Sequence, residues 1–221
     1  KANQYFLRGF NLDHGTDFAG FVDGVPINMR THGHGQGYLD LNFLIPELVE
    51  RIDYRKGPYF ADVGDFSAAG TVMFKTADRL PDPIVEATAG SYGYYRALAA
   101  GSASVGAGDL LAALDATKSN GPWELDEDLR KISGLLKYSE GTASHGWSIG
   151  VNGYRARWNA TDQVPLRAID SGLISRWGNI DPDLGGRTTR IGLTANARLG
   201  ATDGGRVPDP ADVLGTQRLV V

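Results

Sequence analysis

The sequence predicts a mainly β chain in two parts, a mixed α+β region followed by a series of antiparallel strands. Three observations carry this. Short apolar runs around the turn dipeptide Asp23-Gly24 occupy residues 5–76. A polar, proline-marked stretch, Ala77-Asp78-Arg79-Leu80-Pro81-Asp82-Pro83, then interrupts the chain. Beyond it, apolar and polar residues alternate with a period of two, which places one set on each face of a sheet.

In the first part, Gly20-Phe21-Val22 and Val25-Pro26-Ile27 flank Asp23-Gly24 as the arms of a tight hairpin, because that dipeptide tolerates the backbone of a two-residue turn. Residues 42–49 read as a short helical turn, with Pro46 near its start, where a missing N–H costs little. A charged strand follows over residues 50–56 and turns at Gly57-Pro58. A Gly- and Ala-rich stretch leads to a second strand over residues 71–76. The connector at 77–83 marks a domain boundary.

In the second part, Val85, Ala87 and Ala89 open the alternation. Leu110, Ala112, Leu114 and Ala116 alternate with Asp115 and Thr117. Ile132, Gly134, Leu136 and Tyr138 alternate with Ser133, Lys137 and Ser139, Leu135 being the exception. Trp147, Ile149 and Val151 alternate with Ser148 and Asn152. Ile191, Leu193, Ala195, Ala197 and Leu199 alternate with Thr194, Asn196 and Arg198. The polar set suits a wet barrel interior; the apolar set suits lipid or a sandwich core equally well. Turns near 106–109 and 140–146 are short, whereas loops at 119–129 and 159–188 are long, as in outer-membrane barrels. The short hairpin at Gly90-Ser91-Tyr92-Gly93 departs from that rule. After Leu199 the alternation stops, and residues 200–221, with Pro208 and Pro210, are expected to form an irregular tail, read out of frame or joined to foreign sequence.

Composition excludes several classes. At 221 residues the chain is long enough to bury a core. A net charge of −4 with 22% charged residues argues against a nucleic-acid binder and against a disordered acidic tail. Thirty glycines against ten prolines suit turns and strands. Cysteine is absent, so disulfides are too. No apolar run approaches the roughly 20 residues of a membrane helix, a test that membrane strands of about ten residues escape. The chain has no Gly-x-Ser-x-Gly, His-Glu-x-x-His or Gly-Lys-Ser/Thr motif, no cysteine nucleophile and no dinucleotide fingerprint. No enzyme activity and no cofactor are expected. Asp13-His14 with Asp17 reads as turn chemistry.

Four segments stand in a telling order: Leu7-Arg8-Gly9-Phe10, Val22-Asp23-Gly24-Val25-Pro26, Glu50-Arg51-Ile52-Asp53-Tyr54-Arg55-Lys56-Gly57-Pro58 and Gly70-Thr71-Val72. Each alone is a weak signal; together, over roughly seventy residues, they form a strong one. In this order they closely resemble the plug domain of TonB-dependent outer-membrane receptors. The resemblance implies an α+β plug domain over residues 1–76 and a connector over 77–83. Residues 84–199 would then form about six antiparallel strands of an incomplete transmembrane β-barrel, against about twenty-two in a plugged transporter. The resemblance enters mid-plug, and Lys1-Ala2-Asn3-Gln4 lacks signal-peptide features, so the chain is expected to be an internal fragment. Six strands of a wide barrel leave two edges and cannot seal against lipid, so any transport belongs to the parent protein.

The family's action, as the resemblance implies it, is uptake of a scarce nutrient across the outer membrane of a Gram-negative bacterium. A ligand binds outside, at the plug apex and loops. The TonB energy-transducing complex, reaching a segment upstream of this chain, then pulls on the plug. An iron–siderophore complex is the commonest ligand class; vitamin, nickel and carbohydrate receptors share the motifs. A secreted β-rich binding or adhesion protein without transport is the alternative from another class. A third is a metal-dependent hydrolase built on His14, His32 and His34.

Three groups of residues would carry the function. Glu50, Arg51, Asp53, Arg55 and Lys56 resemble one half of an ion-pair network between plug and barrel; the other reading is a solvated edge strand. Asp53 stands for the family's usual Glu and Lys56 for its Arg, which shortens reach or loses bidentate geometry. From Gly57 to Gly70, Val63-Gly64 and Ala69-Gly70 stand where the family shows Tyr-Gly and Gly-Gly, suiting either close approach to the wall or an ordinary loop. Residues 28–40 offer Arg30, His32, His34, Gln36 and Tyr38 among Gly33, Gly35 and Gly37. This stretch reads as a ligand-binding apex, as a His-x-His metal pair, or as a flexible polar loop. On the wall, Leu110, Leu114, Ile132, Leu136, Ile191 and Leu193 are expected to face lipid, and Asp115, Lys137, Asn196 and Arg198 the plug.

Overall fold

The computed structural model describes residues 3–31, 36–142, 145–160 and 163–199, together with the backbone of 213–220. The first part begins with a small antiparallel pair, β1 (Phe6–Leu7) and β2 (Phe10–Asn11). Asp23 and Gly24 take φ values of 47° and 78°, the two left-handed residues of a turn whose twist matches its strands. They join β3 (Phe18–Val22) to β4 (Val25–Pro26). The expected helical turn is a single 3₁₀ turn, Pro46–Leu48, with Pro46 in its first position. β5 (Val49–Lys56) and β6 (Gly70–Thr76) complete a four-stranded sheet in the order β4-β3-β6-β5. β3 runs parallel to β6, and β5 antiparallel to it.

Residues 77–83 lead from β6 into the second sheet. There β7 (Ile84–Gly90), β8 (Tyr94–Val105), β9 (Gly108–Ser119), β10 (Leu129–Gly141), β11 (His145–Asn159) and β12 (Gly185–Leu199) pair antiparallel in chain order. These are the six expected strands, and they form an open wall rather than a closed barrel.

The expected irregular tail needs correction. β13 (Val213–Val220) pairs antiparallel with β12 from Thr189↔Val220 to Asn196↔Val213. Val213, Thr216 and Val220 are good strand formers, and β12 would otherwise present a free row of N–H and C=O groups. Pro208 and Pro210, on which the expectation rested, precede the strand; residues 200–212 and 221 lie outside the described residues.

The pairing register sorts the wall's residues onto two faces. Leu136 stands opposite Ala112 on one side and Val151 on the other, and Val151 opposite Leu193. Leu114, Ile132, Leu136, Ile191 and Leu193 are each about half exposed on this outer face (45–61%), with half-buried Leu110 beside them. On the other face Asp115 and Lys137 are each 1% exposed. Asn196 is half-buried, and the Arg198 side chain lies outside the described residues. Leu135, the exception to the alternation, points inward and packs with Leu98 and Leu111.

The inner face is covered by the first domain. Ile45, Leu48, Ala77 and Leu80 pack on Leu98, Ala100 and Leu111 of the wall. Val22, Ile27, Leu39 and Phe43 pack on Tyr154 and Ala156. Ala19, Phe21 and Val63 form a smaller cluster, with Met73 against it. A sandwich would bury both apolar faces between two sheets; here the wall's outer apolar face is bare, which is what lipid would cover.

The two ends of the wall differ. At one end residues 106–107 make a short turn, and β10 ends at Gly141 close in sequence to the start of β11 at His145; there the Tyr138 and Trp147 rings lie 5.2 Å apart. At the other end, residues 120–128 form one long loop, and residues 163–184, which contain α1 (Leu166–Asp170), belong to a second. Trp123 and Trp177 join them, ring centres 5.5 Å apart, and Glu124 N–H donates to the Trp177 carbonyl. The hairpin over 91–93 is short at the long-loop end, as its sequence indicates.

Candidate functional site

The polar contacts between domain and wall gather at two places. The first is built on the Asp23-Gly24 turn. Asp23 is 7% exposed, and its carboxylate accepts from the Thr76 N–H at 2.9 Å and the Thr76 hydroxyl at 2.5 Å. Two ammonium groups converge there. Lys137 of the wall reaches Asp23 at 3.6 Å and Asp78 at 2.8 Å, and donates to the Thr76 carbonyl at 3.0 Å. Lys75 reaches Asp78 at 2.8 Å and Asp23 at 3.7 Å. Ser139 of the wall also donates to Asp78.

Two cations and two carboxylates thus sit around the end of β6, with the connector folded into the cluster. Burial by itself would raise the Asp78 pKa, but the Lys137 and Lys75 ammonium groups outweigh it and hold the carboxyl well below its usual range. For Lys75, burial pulls the pKa down while Asp23 and the hydrogen bond to Asp78 push it up, leaving a net rise. Charges this deep are retained only when paired and hydrogen-bonded.

The second place is Glu47, in the 3₁₀ turn. Arg96 of β8 grips it with both arms, Nη1 to Oε1 at 2.6 Å and Nη2 to Oε2 at 2.9 Å. The Arg96 Nε donates to Asp115 at 2.5 Å, and Lys131 approaches Asp115 at 3.4 Å. Hydrogen bonding from Arg96 holds the Glu47 carboxyl below its ordinary pKa. Further contacts extend the seam. Arg190 of β12 lies 4.1 Å from the Phe43 ring centre, a cation–π geometry. Arg79 of the connector donates to Asp109 and Ser104 at the short-turn end of the wall.

The charged strand takes no part in this seam. Arg51 pairs with Asp53 at 2.8 Å and Arg55 with Asp62 at 2.7 Å. Arg55 also lies over Phe60, and Lys56 over Tyr54; Glu50 is exposed. Among the described residues, these partners all belong to the first domain. β5 is nevertheless an open edge, with Ile52 55% and Tyr54 67% exposed. The glycine stretch makes its close approach within the domain: a Cβ at Gly70 would stand 2.6 Å from the Arg55 carbonyl.

At the expected apex, Thr31 bridges Gln36 and the Met29 N–H donates to the Tyr38 carbonyl. Residues 29–31 therefore pair antiparallel with residues 36–38; His32 and His34 lie outside the described residues. Arg30 and Gln36 are exposed and line an open groove of about 1230 Å³ with Asn28, Asp17, Asp62 and Asp65. Tyr38 turns the other way and is half-buried, its phenol pushed up to about 12 by burial and then by Asp40. His14 sits near Tyr38, ring centres 6.4 Å apart, with Nδ1 3.1 Å from the Asn3 carbonyl. Among the described residues no cluster of three or more metal-ligating side chains forms.

Sequence reasoning placed Asp115 and Lys137 correctly but read Asp23 only as a turn residue, and it passed over Glu47 and Arg96. The available signal was the pair of inward charges, Asp115 and Lys137, which need counter-charges on whatever covers them.

Residues 1–71 match the family model described as "TonB-dependent Receptor Plug Domain". No curated protein sequence gives a match. Among solved structures, the siderophore receptor PiuA from Acinetobacter baumannii matches 90% of this chain with a TM-score of 0.62 and 14% identity. The ferric citrate transporter FecA matches 89% with a TM-score of 0.63 and 18% identity. The copper transporter OprC matches 88% with a TM-score of 0.50 and 13% identity. The chain spans 28%, 31% and 39% of those proteins. At such identities the likeness is one of fold.

Proposed function

We propose that this chain, which carries a TonB-dependent receptor plug domain seated against a stretch of barrel wall, is part of an outer-membrane receptor for active uptake of a scarce nutrient. Residues 1–76 are the plug, 77–83 the connector and 84–199 the first strands of the wall. The observation that carries the reading is the seam. A plug inside a barrel must be firmly held at rest yet able to leave, and paired charges meet both needs, because each partner can exchange the other for water. An apolar seat alone would give no such exchange.

In this reading the long loops and the paired segments 29–31 and 36–38 face outward, where the ligand arrives. Arg30 and Gln36 in the groove, with His32 and His34 nearby in sequence, bind it through donor groups suited to an anionic, oxygen-rich complex. A ferric siderophore fits that description and is the favoured cargo; PiuA is named a siderophore receptor and FecA a ferric citrate transporter, whereas OprC is named a copper transporter. The charges of β5 face wall strands beyond the six and pair with them. The TonB complex supplies the pull that parts the seam.

The test is uptake of labelled ferric siderophore by cells carrying the full receptor. Energy-dependent uptake that stops when TonB is depleted is the expected result. Binding without uptake, in cells that have TonB, would contradict the transport reading.

A further inference from the structure

One aromatic residue of the plug holds a backbone conformation that favours glycine. Phe66 stands at φ 61°, where a side chain of its size is a steric outlier. Such strain persists only where the surroundings hold the residue in place. Here they are Gly37. A Cβ at Gly37 would stand 2.6 Å from Cδ1 and 2.8 Å from Cγ of Phe66, so the phenyl ring fills the space a side chain there would take. Gly37 itself lies at φ 77°.

Gly37 is fixed from other sides as well. Its carbonyl accepts from Asn28 Nδ2 at 2.7 Å, and its N–H donates to the Arg30 carbonyl at 3.2 Å. The Asn28 amide is tied into β3, donating to the Phe18 carbonyl at 2.9 Å and accepting from the Gly20 N–H at 2.7 Å. Phe66 is anchored behind: Ser67 Oγ donates to the Gly64 carbonyl at 2.8 Å, and the Ala69 N–H to the Asp17 carbonyl at 2.9 Å. The paired segments 29–31 and 36–38 are thus gripped at their base between Asn28 and Phe66. Arg30 and Gln36 line the same groove as Phe66.

From this geometry we infer that Phe66 is a positioning residue for ligand binding. Its ring, seated on Gly37, fixes the base from which Arg30 and Gln36 reach into the groove. Packing alone does not account for the backbone, since glycine at this position would carry no strain; what glycine would lose is the ring. Donors held in place beforehand bind more tightly, because less ordering is left to occur on binding. The inference rests on the reading of this groove as the ligand site.

The test uses the full receptor purified in neutral detergent. A ferric tris-catecholate, a ferric tris-hydroxamate and ferric citrate are the probes, and amide hydrogen exchange is the second reading. Phe66→Gly removes ring and strain together, whereas Phe66→Tyr keeps the ring. F66G should bind the probe that wild type binds about tenfold more weakly, as if the donors were aligned in about a tenth of the molecules; F66Y should bind as wild type. The Met29 and Gly37 amides, which join the two segments, should exchange faster in F66G. The Thr76 amide, bonded to Asp23, should keep its wild-type rate. F66G that binds as tightly as wild type would overturn the inference while leaving the ligand site in the groove. Faster exchange at Thr76 as well would reduce Phe66 to a support of the whole plug, and so overturn it too. Wild type that binds none of the probes would overturn the ligand reading and this inference with it. Should F66G not fold, Phe66→Leu, which keeps bulk without the aromatic ring, decides by the same readings.

Discussion

Arg96 of the wall and Glu47 of the plug meet as a two-armed pair, with N–O distances of 2.6 and 2.9 Å, while the Nε of Arg96 donates to Asp115. One guanidinium therefore satisfies a plug carboxylate and a buried wall carboxylate together. Arg96→Gln should destabilise the plug-bound state by about 3–5 kcal/mol, because among the described residues Asp115 then keeps Lys131 as its one cation. Glu47→Gln, which leaves Asp115 paired, should cost about 1.5–3 kcal/mol. Urea titration of the full receptor, read by protease access to the plug, checks the order; equal losses would show that Asp115 does not depend on Arg96.

The Asp23 cluster should show coupling across the seam. Lys137→Met and Asp23→Asn each break a buried pair, but once one partner is gone, losing the other costs less. A double-mutant cycle should give a coupling energy of about 0.5–3 kcal/mol. Additive effects would mean that the 3.6 Å approach of Lys137 to Asp23 contributes nothing and that Asp78 and Thr76 hold the lysine alone.

Acid should loosen the plug. Glu47 and Asp78 both have folded pKa values below their ordinary ones. A depressed carboxyl contributes stability that is present above its unfolded pKa, about 4, and lost as pH falls toward the folded value. Lys75 is shifted upward, so its contribution is present below about pH 10.4 and lost only above that. The urea midpoint should be flat between about pH 5 and 9 and fall below about pH 4. Glu47→Gln should make the acid fall shallower; an unchanged acid limb would exclude Glu47 as a source.

Much of this arrangement was legible in the chain. The period-two alternation identified the strands and both wall faces, because burial on one side of a sheet leaves a repeat that local sequence records. Asp23-Gly24 identified its own turn through its tolerance of positive φ. The seam was not legible, since Glu47–Arg96 and Asp23–Lys137 join residues 49 and 114 positions apart and nothing local marks them as partners. The charges of β5 drew attention by their density, yet Arg51 and Arg55 find carboxylates two and seven residues away. β13 was missed because the prolines before it masked a short run of strand formers.

The groove should tolerate mutation without loss of fold. Arg30 is exposed, so Arg30→Ala should leave heat-modifiable mobility unchanged while weakening ligand binding by about 1.5–3 kcal/mol. Adding His34→Ala should weaken it further. Binding measured on outer membranes at neutral pH decides; unchanged affinity would move the ligand to the long loop at 163–184.

The most direct test ties the plug to the wall. Cysteines replacing Glu47 and Arg96, joined by a short bifunctional thiol reagent, hold the seam closed at the place where the native pair holds it. Initial rates of ferric siderophore uptake are measured before and after linking, with each single cysteine variant treated alike. Efficient linking, loss of uptake in the linked double variant alone and undiminished surface binding are the expected results. Linked protein that transports as fast as the unlinked form would contradict a transport cycle that requires this seam to part.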